Sequence, residues 1–443
     1  MVPGHRPGGG GRRPDPAACG SAQMEGRIMT GLADTDAFPL TAIPAPLQDV
    51  HREEGARMAE TPWGTVPRHY GDTTAEYRAA TGEAALVDRS NRVLVRLEGR
   101  APGRMLTGVV SGRMPPAPTP GDDGVGRGRA FYSTILTPKG RIVTDLRLFR
   151  LEGGDEGAHL LDVPAAGWEP LQEHFQRYLP PRFARVVEPS PATGMITVVG
   201  SAAAHLLAGA FPEFSGLVGE LEALEEGEER VLSPGGLASR GGSGAPDDGM
   251  SLGAIHIVRS GEVQPLALDV VGPADALADI WRRLRERGVP PAGHAVWETL
   301  RIEHGRPAFG VELLPETLLP EAGVVARAVD QTKGCYTGQE VIVRIRDRGK
   351  VNRHLRGFLL GDAPAPAAGT PLFIEGRSRD AGEIRSAVES PRFGQGIALG
   401  YLRREAEPPG TARLGAPDGP EIAVRALSDD GWILAEDDPD HHD

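Results

Sequence analysis

The chain has 443 residues, with 61 acidic against 48 basic side chains and a formal net charge of −13. That balance argues against a broad nucleic-acid-binding face, which needs clustered Lys and Arg. Two cysteines, Cys19 and Cys335, are too few for a disulfide framework or for a four-thiolate metal or iron–sulfur site within one chain. No run approaches the roughly 20 apolar residues of a membrane span, and the basic N-terminus lacks the apolar segment of a secretory signal. The expected compartment is therefore a reducing cytoplasm, with no membrane and no direct nucleic-acid partner.

Residues 1–45 read as a disordered tail rich in Gly and Pro. Thr73 and Glu76 have capping-box spacing, and Tyr77, Ala80, Ala84 and Ala85 then suit a short helix. RVLVRLEG (92–99) alternates Val93, Val95 and Leu97 with arginines, which predicts a half-buried strand. Residues 130–151 carry two strand-like runs around Thr-Pro-Lys-Gly, a hairpin signal. HLLDVPA reads as a further strand. Trp168, Leu171, Phe175 and Tyr178 then recur at helical spacing before two prolines.

A strand–glycine–helix unit then recurs. RVLVRLEGRAPGRMLTGVV, MITVVGSAAAHLLAGAF and LALDVVGPADALADIWRRLRERGV all follow it, and the last two share V-V-G-x-A. Repeated strand–helix units within one α+β domain explain this better than phosphate loops, because neither G-x-G-x-x-G nor G-K-[ST] occurs there. Residues 219–251, rich in Glu, Gly and Ser, read as a mobile surface insertion. HAVWETLRIEHG (294–305) has a helical pattern stopped by Gly305. From 351 to 435, short β-type runs recur every eight to twelve residues, predicting a small antiparallel barrel or sandwich. The large α+β domain is expected over 60–350.

The segment KGCYTGQEVIVRI (333–345) holds Cys335 between two glycines, two residues after Lys333. An adjacent cation and free backbone N–H groups would favour a reactive thiolate, whereas free cysteines more commonly fill small buried spaces. Arg344, Arg346, Arg348, Lys350, Arg353 and Arg356 follow. On an extended strand the even-numbered members share one face, a candidate anion site for a polyglutamate tail, a carboxylate or a nucleic-acid backbone. Glu303, Glu312, Gln339 and Glu340 are candidate partners for a heterocyclic ligand.

K-G-C-Y-T-G-Q-E at 333–340 resembles the signature of the YgfZ family, folate-binding proteins related to the aminomethyltransferase (T-protein) of the glycine cleavage system. VPRHYGDTTAEYRAATGEAALVDRSNRVLVRLEG and WETLRIEHGRPAFGVEL extend the similarity over about residues 60–410. The resemblance implies an α+β, aminomethyltransferase-like folate-binding fold of ferredoxin-like repeats with a C-terminal β-barrel module. It also implies tetrahydrofolate or a derivative as cofactor, and iron–sulfur enzymes as partners of an accessory factor that uses Cys335 beside Lys333, Gly338, Gln339 and Glu340. Glu303 would contact the pterin, Phe309 would stack on the folate, and Arg344 or Arg346 would hold its carboxylates.

T-proteins carry Asp-Asp in the hairpin strand, where this chain has Thr144-Asp145, and they lack a cysteine in the K-G segment. Both departures favour the YgfZ branch. Asp145 keeps open the alternative of a tetrahydrofolate-dependent aminomethyltransferase with Asp145 as its acid–base group. A scaffold with no folate affinity is the third reading.

Overall fold

The strand Arg92–Glu98 shows how the sequence builds its centre. Val93, Val95 and Leu97 pack onto Leu171 and Phe175 of the helix Trp168–Tyr178, as their alternation predicts. Leu94, on the opposite side, is buried too, against Phe149, Leu160, Met195, Val258 and Val271. This strand is therefore covered on both sides, and arginines beside it need partners.

The computed structural model describes residues 46–433 apart from 62–63, 90, 152, 154–156, 188, 190, 233–251, 378 and 429–430. The expected 1–45 tail lies outside the described residues.

Two sheets face each other across the Leu94–Val271 layer. One has five strands, in spatial order Arg185–Val187, Arg92–Glu98, His159–Pro164, Ile142–Arg150 and Phe131–Leu136. The other has seven, with Thr193–Val199, Ala267–Pro273, Ile255–Arg259 and Glu228–Leu232 at its centre. Helices Ala203–Ala210 and Ala274–Glu286 cover its outer face through Leu207, Ile280 and Trp281. The layering is helix, sheet, sheet, helix, and it makes the second and third repeat units antiparallel neighbours. The hairpin expected over 130–151 is present, with Thr134 opposite Asp145.

Six strands between Arg353 and Arg425 close into a barrel. Closure removes the edges that short strands would otherwise expose. The α+β, aminomethyltransferase-like fold with a C-terminal β-barrel is thus the one observed.

Several expectations are corrected. Asp72, not Thr73, caps the helix Thr73–Thr81, accepting from the backbone N–H groups of Thr74 and Ala75. Glu76 instead accepts from Tyr70 N and Gly293 N. Gly82 ends that helix, so Ala85 starts a strand, Ala85–Asp88. The 219–232 part of the expected insertion is ordered structure: a short helix, Val218–Glu222, and the strand Glu228–Leu232. The rest, 233–251, falls outside the described residues. Residues 339–348 form a helix, not a strand. Arg344 and Arg346 are therefore about 200° apart around an axis rather than on one face.

Glu312 fastens the barrel to the rest. Its wholly buried carboxylate accepts from Arg301 Nη1 at 3.1 Å, from Ala308 N at 2.9 Å and from Ser386 Oγ of the barrel strand Gly382–Ser390. Its carbonyl accepts from Tyr401 O–H at 3.1 Å. Truncating one member of a buried ion pair typically costs about 3–5 kcal/mol. Glu312→Ala should lower stability by that order in urea unfolding, and a loss below about 1 kcal/mol would disprove the clasp.

Candidate functional site

A cavity of about 270 Å³ opens where the two sheets, the helix His294–Glu303 and the barrel strand Gly382–Ser390 meet. Eight arginines and four carboxylates line it, so an acidic protein concentrates cations here. Buried aspartates behind the wall offset several of them. Asp162 accepts from Arg92 Nε and from Arg147 Nη2 at 2.9 Å, and Asp269 accepts from Arg147 Nη1 at 2.7 Å. Glu262 accepts from Arg89 Nη2 at 2.9 Å, and the three guanidiniums of Arg89, Arg92 and Arg147 hold its carboxyl well below the usual range against the cost of burial. It stays ionised.

Strand alternation decides which of Thr144 and Asp145 serves the cavity. Thr144 turns the other way, against Gly167 at the start of the 168–178 helix. Asp145 lines the cavity. Its Oδ2 accepts from Tyr132 O–H at 2.9 Å, while its buried Oδ1 has no partner. Burial pushes the Asp145 carboxyl up to about 6, against the pull of nearby Arg92 and of the Tyr132 hydrogen bond. An unpaired buried oxygen at a pKa near neutrality can exchange a proton with a ligand N–H.

Phe309 also lines the cavity and packs with Leu136, Ile142 and Tyr336. Phe131, Tyr132 and Trp297 add aromatic surface. Arg327 lies 4.6 Å from the Tyr132 ring centre and Arg89 lies 3.8 Å from that of Trp297. Besides Asp145 Oδ1, the buried Arg89 Nε, Arg259 Nη1 and His294 Nδ1 of this wall have no hydrogen-bond partner. Buried polar atoms are rarely left so. With Phe131, Trp297 and Phe309 as apolar faces and Asp145 and His294 as a hydrogen-bonding edge, the wall suits a planar ligand such as a pterin ring.

The other candidates lie elsewhere. Glu303 is outside the cavity wall and accepts from Tyr77 O–H at 2.9 Å and from Ser390 O–H, so its oxygens are already engaged. Glu312 is spent on the barrel clasp. Cys335 is exposed and does not line the cavity. Lys333 is engaged elsewhere: its Nζ donates to Val110 O at 2.7 Å and Gly112 O at 2.9 Å, and burial lowers its pKa to about 8. Lys333 thus pins this loop to residues 110–112.

Gly338 has φ +83°, and a Cβ there would stand 2.7 Å from Thr137 O of the hairpin turn. Only glycine meets both demands. Gln339 and Glu340 begin the 339–348 helix, and neither lines the cavity. Arg344 and Arg346 project from that helix into solvent, with Arg346 bonded to Asp347 and Gln331. Sequence reasoning passed over Tyr132, Arg89, Arg92, Arg147, Glu262 and Trp297. The available signal was arginine at alternate positions of strands whose other positions were also apolar.

Two family models match the chain, the GCVT N-terminal domain over residues 47–216 and the glycine cleavage T-protein C-terminal barrel domain over 353–426. The aminomethyltransferase of Rubrobacter xylanophilus is 30% identical over 367 residues, covering 82% of this chain and 87% of that protein. The chain belongs to the glycine cleavage T-protein family. The aminomethyltransferase of Cutibacterium acnes is 26% identical over 386 residues, or 86% of this chain and 95% of that one. The crystal structure of glycine cleavage system aminomethyltransferase T from Bartonella henselae superposes with a TM-score of 0.69 at 20% identity, over 88% of this chain and 99% of that one. That likeness establishes the T-protein fold. The family is one of tetrahydrofolate-binding proteins.

The folded state holds the Asp145 proton more tightly than the unfolded chain does. Asp145 therefore opposes stability increasingly as pH rises from the ordinary aspartate range through about 6, and fully above it. Asp145→Asn should raise stability at pH 7.5 by about 3 kcal/mol and leave it nearly unchanged at pH 4. Thermal unfolding at the two pH values checks this, and an equal shift at both would contradict it.

Proposed function

We propose that this chain binds tetrahydrofolate in the cavity and passes a one-carbon unit between an aminomethyl donor and the folate, with Asp145 as the acid–base residue. The observation that carries this reading is the buried Asp145 carboxylate, one oxygen held by Tyr132 and the other unpartnered in the cavity. Membership of the T-protein family supports it. Tetrahydrofolate, when bound, supplies the nitrogen that accepts or gives up the carbon.

The chain's own residues do the rest. Tyr132 O–H fixes Oδ2, leaving Oδ1 to accept the proton that a ligand N–H releases as its nitrogen takes the carbon, while the carbon's bond to the donor breaks and the departing donor group takes up a proton; the reverse reaction returns both. A pKa of about 6 leaves the carboxylate ionised at pH 7.5 and still basic enough to take that proton. Glu262, kept ionised by three arginines, offers a fixed anion to N–H donors or to a transient cation. Phe131, Trp297 and Phe309 supply apolar walls that exclude water.

Because the base works only when deprotonated, kcat/KM should rise with pH through about 6 and then level off. Asp145→Asn should lower turnover by about 100-fold or more, with tetrahydrofolate still bound. Steady-state turnover of an aminomethyl donor, with calorimetric titration of the folate, reads both. Wild-type-like turnover in Asp145→Asn would end this reading.

A second reading rests on one specific feature. Cys335 is exposed in the K-G-C-Y-T-G-Q-E loop that resembles the YgfZ signature. It makes the chain a folate-binding accessory factor in assembly or repair of iron–sulfur enzymes, the thiol acting at the surface. Complementation of a bacterium lacking its YgfZ-like protein, read through an iron–sulfur tRNA-thiolating enzyme, separates the two. Under this second reading, wild type and Asp145→Asn should rescue and Cys335→Ala should not. Full rescue by Cys335→Ala would eliminate it.

A further inference from the structure

Arg259 ends the strand Ile255–Arg259 and lines the cavity, where its Nη1 is buried without a partner. Two carboxylates lie near enough to act on it electrostatically, Asp269 and Glu226. Each is already engaged. Asp269 accepts from Arg147 at 2.7 Å and from Thr197 O–H, with Arg89 Nη1 at 3.8 Å. Glu226 is held by Arg327. Four other guanidiniums around this wall, those of Arg89, Arg92, Arg147 and Arg327, are paired with the carboxylates Asp162, Glu226, Glu262 and Asp269. Among the described residues, no ion pair involves Arg259. A guanidinium cannot shed its charge at ordinary pH, so an unpaired one in a cavity is a waiting anion site. Arg89 Nε, on a side chain 1% exposed, is a second unpartnered donor in the same wall.

The geometry points to a carboxylate subsite at Arg259, assisted by Arg89 Nε, that recognises the one-carbon donor as an amino-acid-type amine bearing a free carboxylate. This rests on the folate-dependent reading and adds the class of donor to it. A carboxylate could also come from the glutamate tail of the folate. The donor is the better source, because Arg259 lines the cavity wall with its Nη1 shielded from water, and a short ligand brings its charge to such a wall at less cost. A long charged tail retains more hydration at an open mouth. Planar pairing of carboxylate with a guanidinium fork is directional as well as strong, so it would also aim the donor's nitrogen.

The test uses the full chain with N-methylglycine as a binding probe, dimethylamine as its counterpart without the carboxylate, tetrahydrofolate, and a tetrahydropterin lacking the glutamate tail. Calorimetric titrations are run on wild type, Arg259→Gln and Arg259→Lys, with and without saturating folate. Wild type should bind N-methylglycine about tenfold or more tightly than dimethylamine. Arg259→Gln should erase that preference and Arg259→Lys should keep part of it, both with tetrahydrofolate affinity within about twofold of wild type. Equal affinity of wild type for the two amines overturns the proposal. So does an Arg259→Gln that weakens tetrahydrofolate but not the tail-less tetrahydropterin, since Arg259 would then anchor the tail. Should wild type fail to bind tetrahydrofolate at all, the folate reading falls. The amine preference measured without folate still decides the subsite, and that wild-type comparison stands even if a variant does not fold.

Discussion

Arg147 is the bolt through the molecule. From one sheet its guanidinium reaches Asp162 on the neighbouring strand and Asp269 on the facing sheet. Both aspartates are wholly excluded from water. Neither could remain ionised there alone, since an isolated buried carboxylate costs many times the stability of a domain. The pairing therefore dictates how the sheets may slide: a shift of one strand residue would leave two anions and a cation unmatched. The apolar layer between the sheets presses them together, and the ion network sets their register.

That same network makes the cavity chemically unusual. Because the arginines are fixed by carboxylates from behind, their positive field is permanent and needs no reorganisation when a ligand arrives. Asp145 sits within this field yet still rises toward neutrality, because loss of water outweighs the attraction of Arg92. Glu262, in the field of three guanidiniums, moves the opposite way. Two carboxylates in one cavity thus stand in different protonation regimes, which is how a single site can hold both a proton carrier and a fixed anion.

Much of the architecture was legible in the sequence. Alternating Val93, Val95 and Leu97, the Thr-Pro-Lys-Gly turn, the repeated strand–helix units and the late β-type runs all correspond to observed elements. Local signals failed where tertiary context overrode them. Residues 339–348 alternate Val and Arg like a strand but coil into a helix behind Gly338, and Glu76 leaves the cap it was suited for to bind Gly293, 217 positions away. The site was the least legible part. Glu303 stood out by its motif, yet Tyr77 and Ser390 occupy it. Arg92 and Arg147 looked like solvent-facing strand residues, because nothing local reveals that a second sheet covers them. Asp145 was found, and strand alternation, which turns Thr144 against Gly167, leaves Asp145 as the one of the two that lines the cavity.

The barrel strand supplies Ser386, Ala387 and Val388 to a wall that begins at Arg89, about 300 residues earlier in sequence. The cavity consequently does not exist in any partly folded form of the chain. Its loop closures are long, which makes them late and slow events in folding. Ligand affinity in this protein is therefore a readout of complete assembly: an intermediate with both sheets formed but the barrel undocked would look native by helix and strand content and bind nothing.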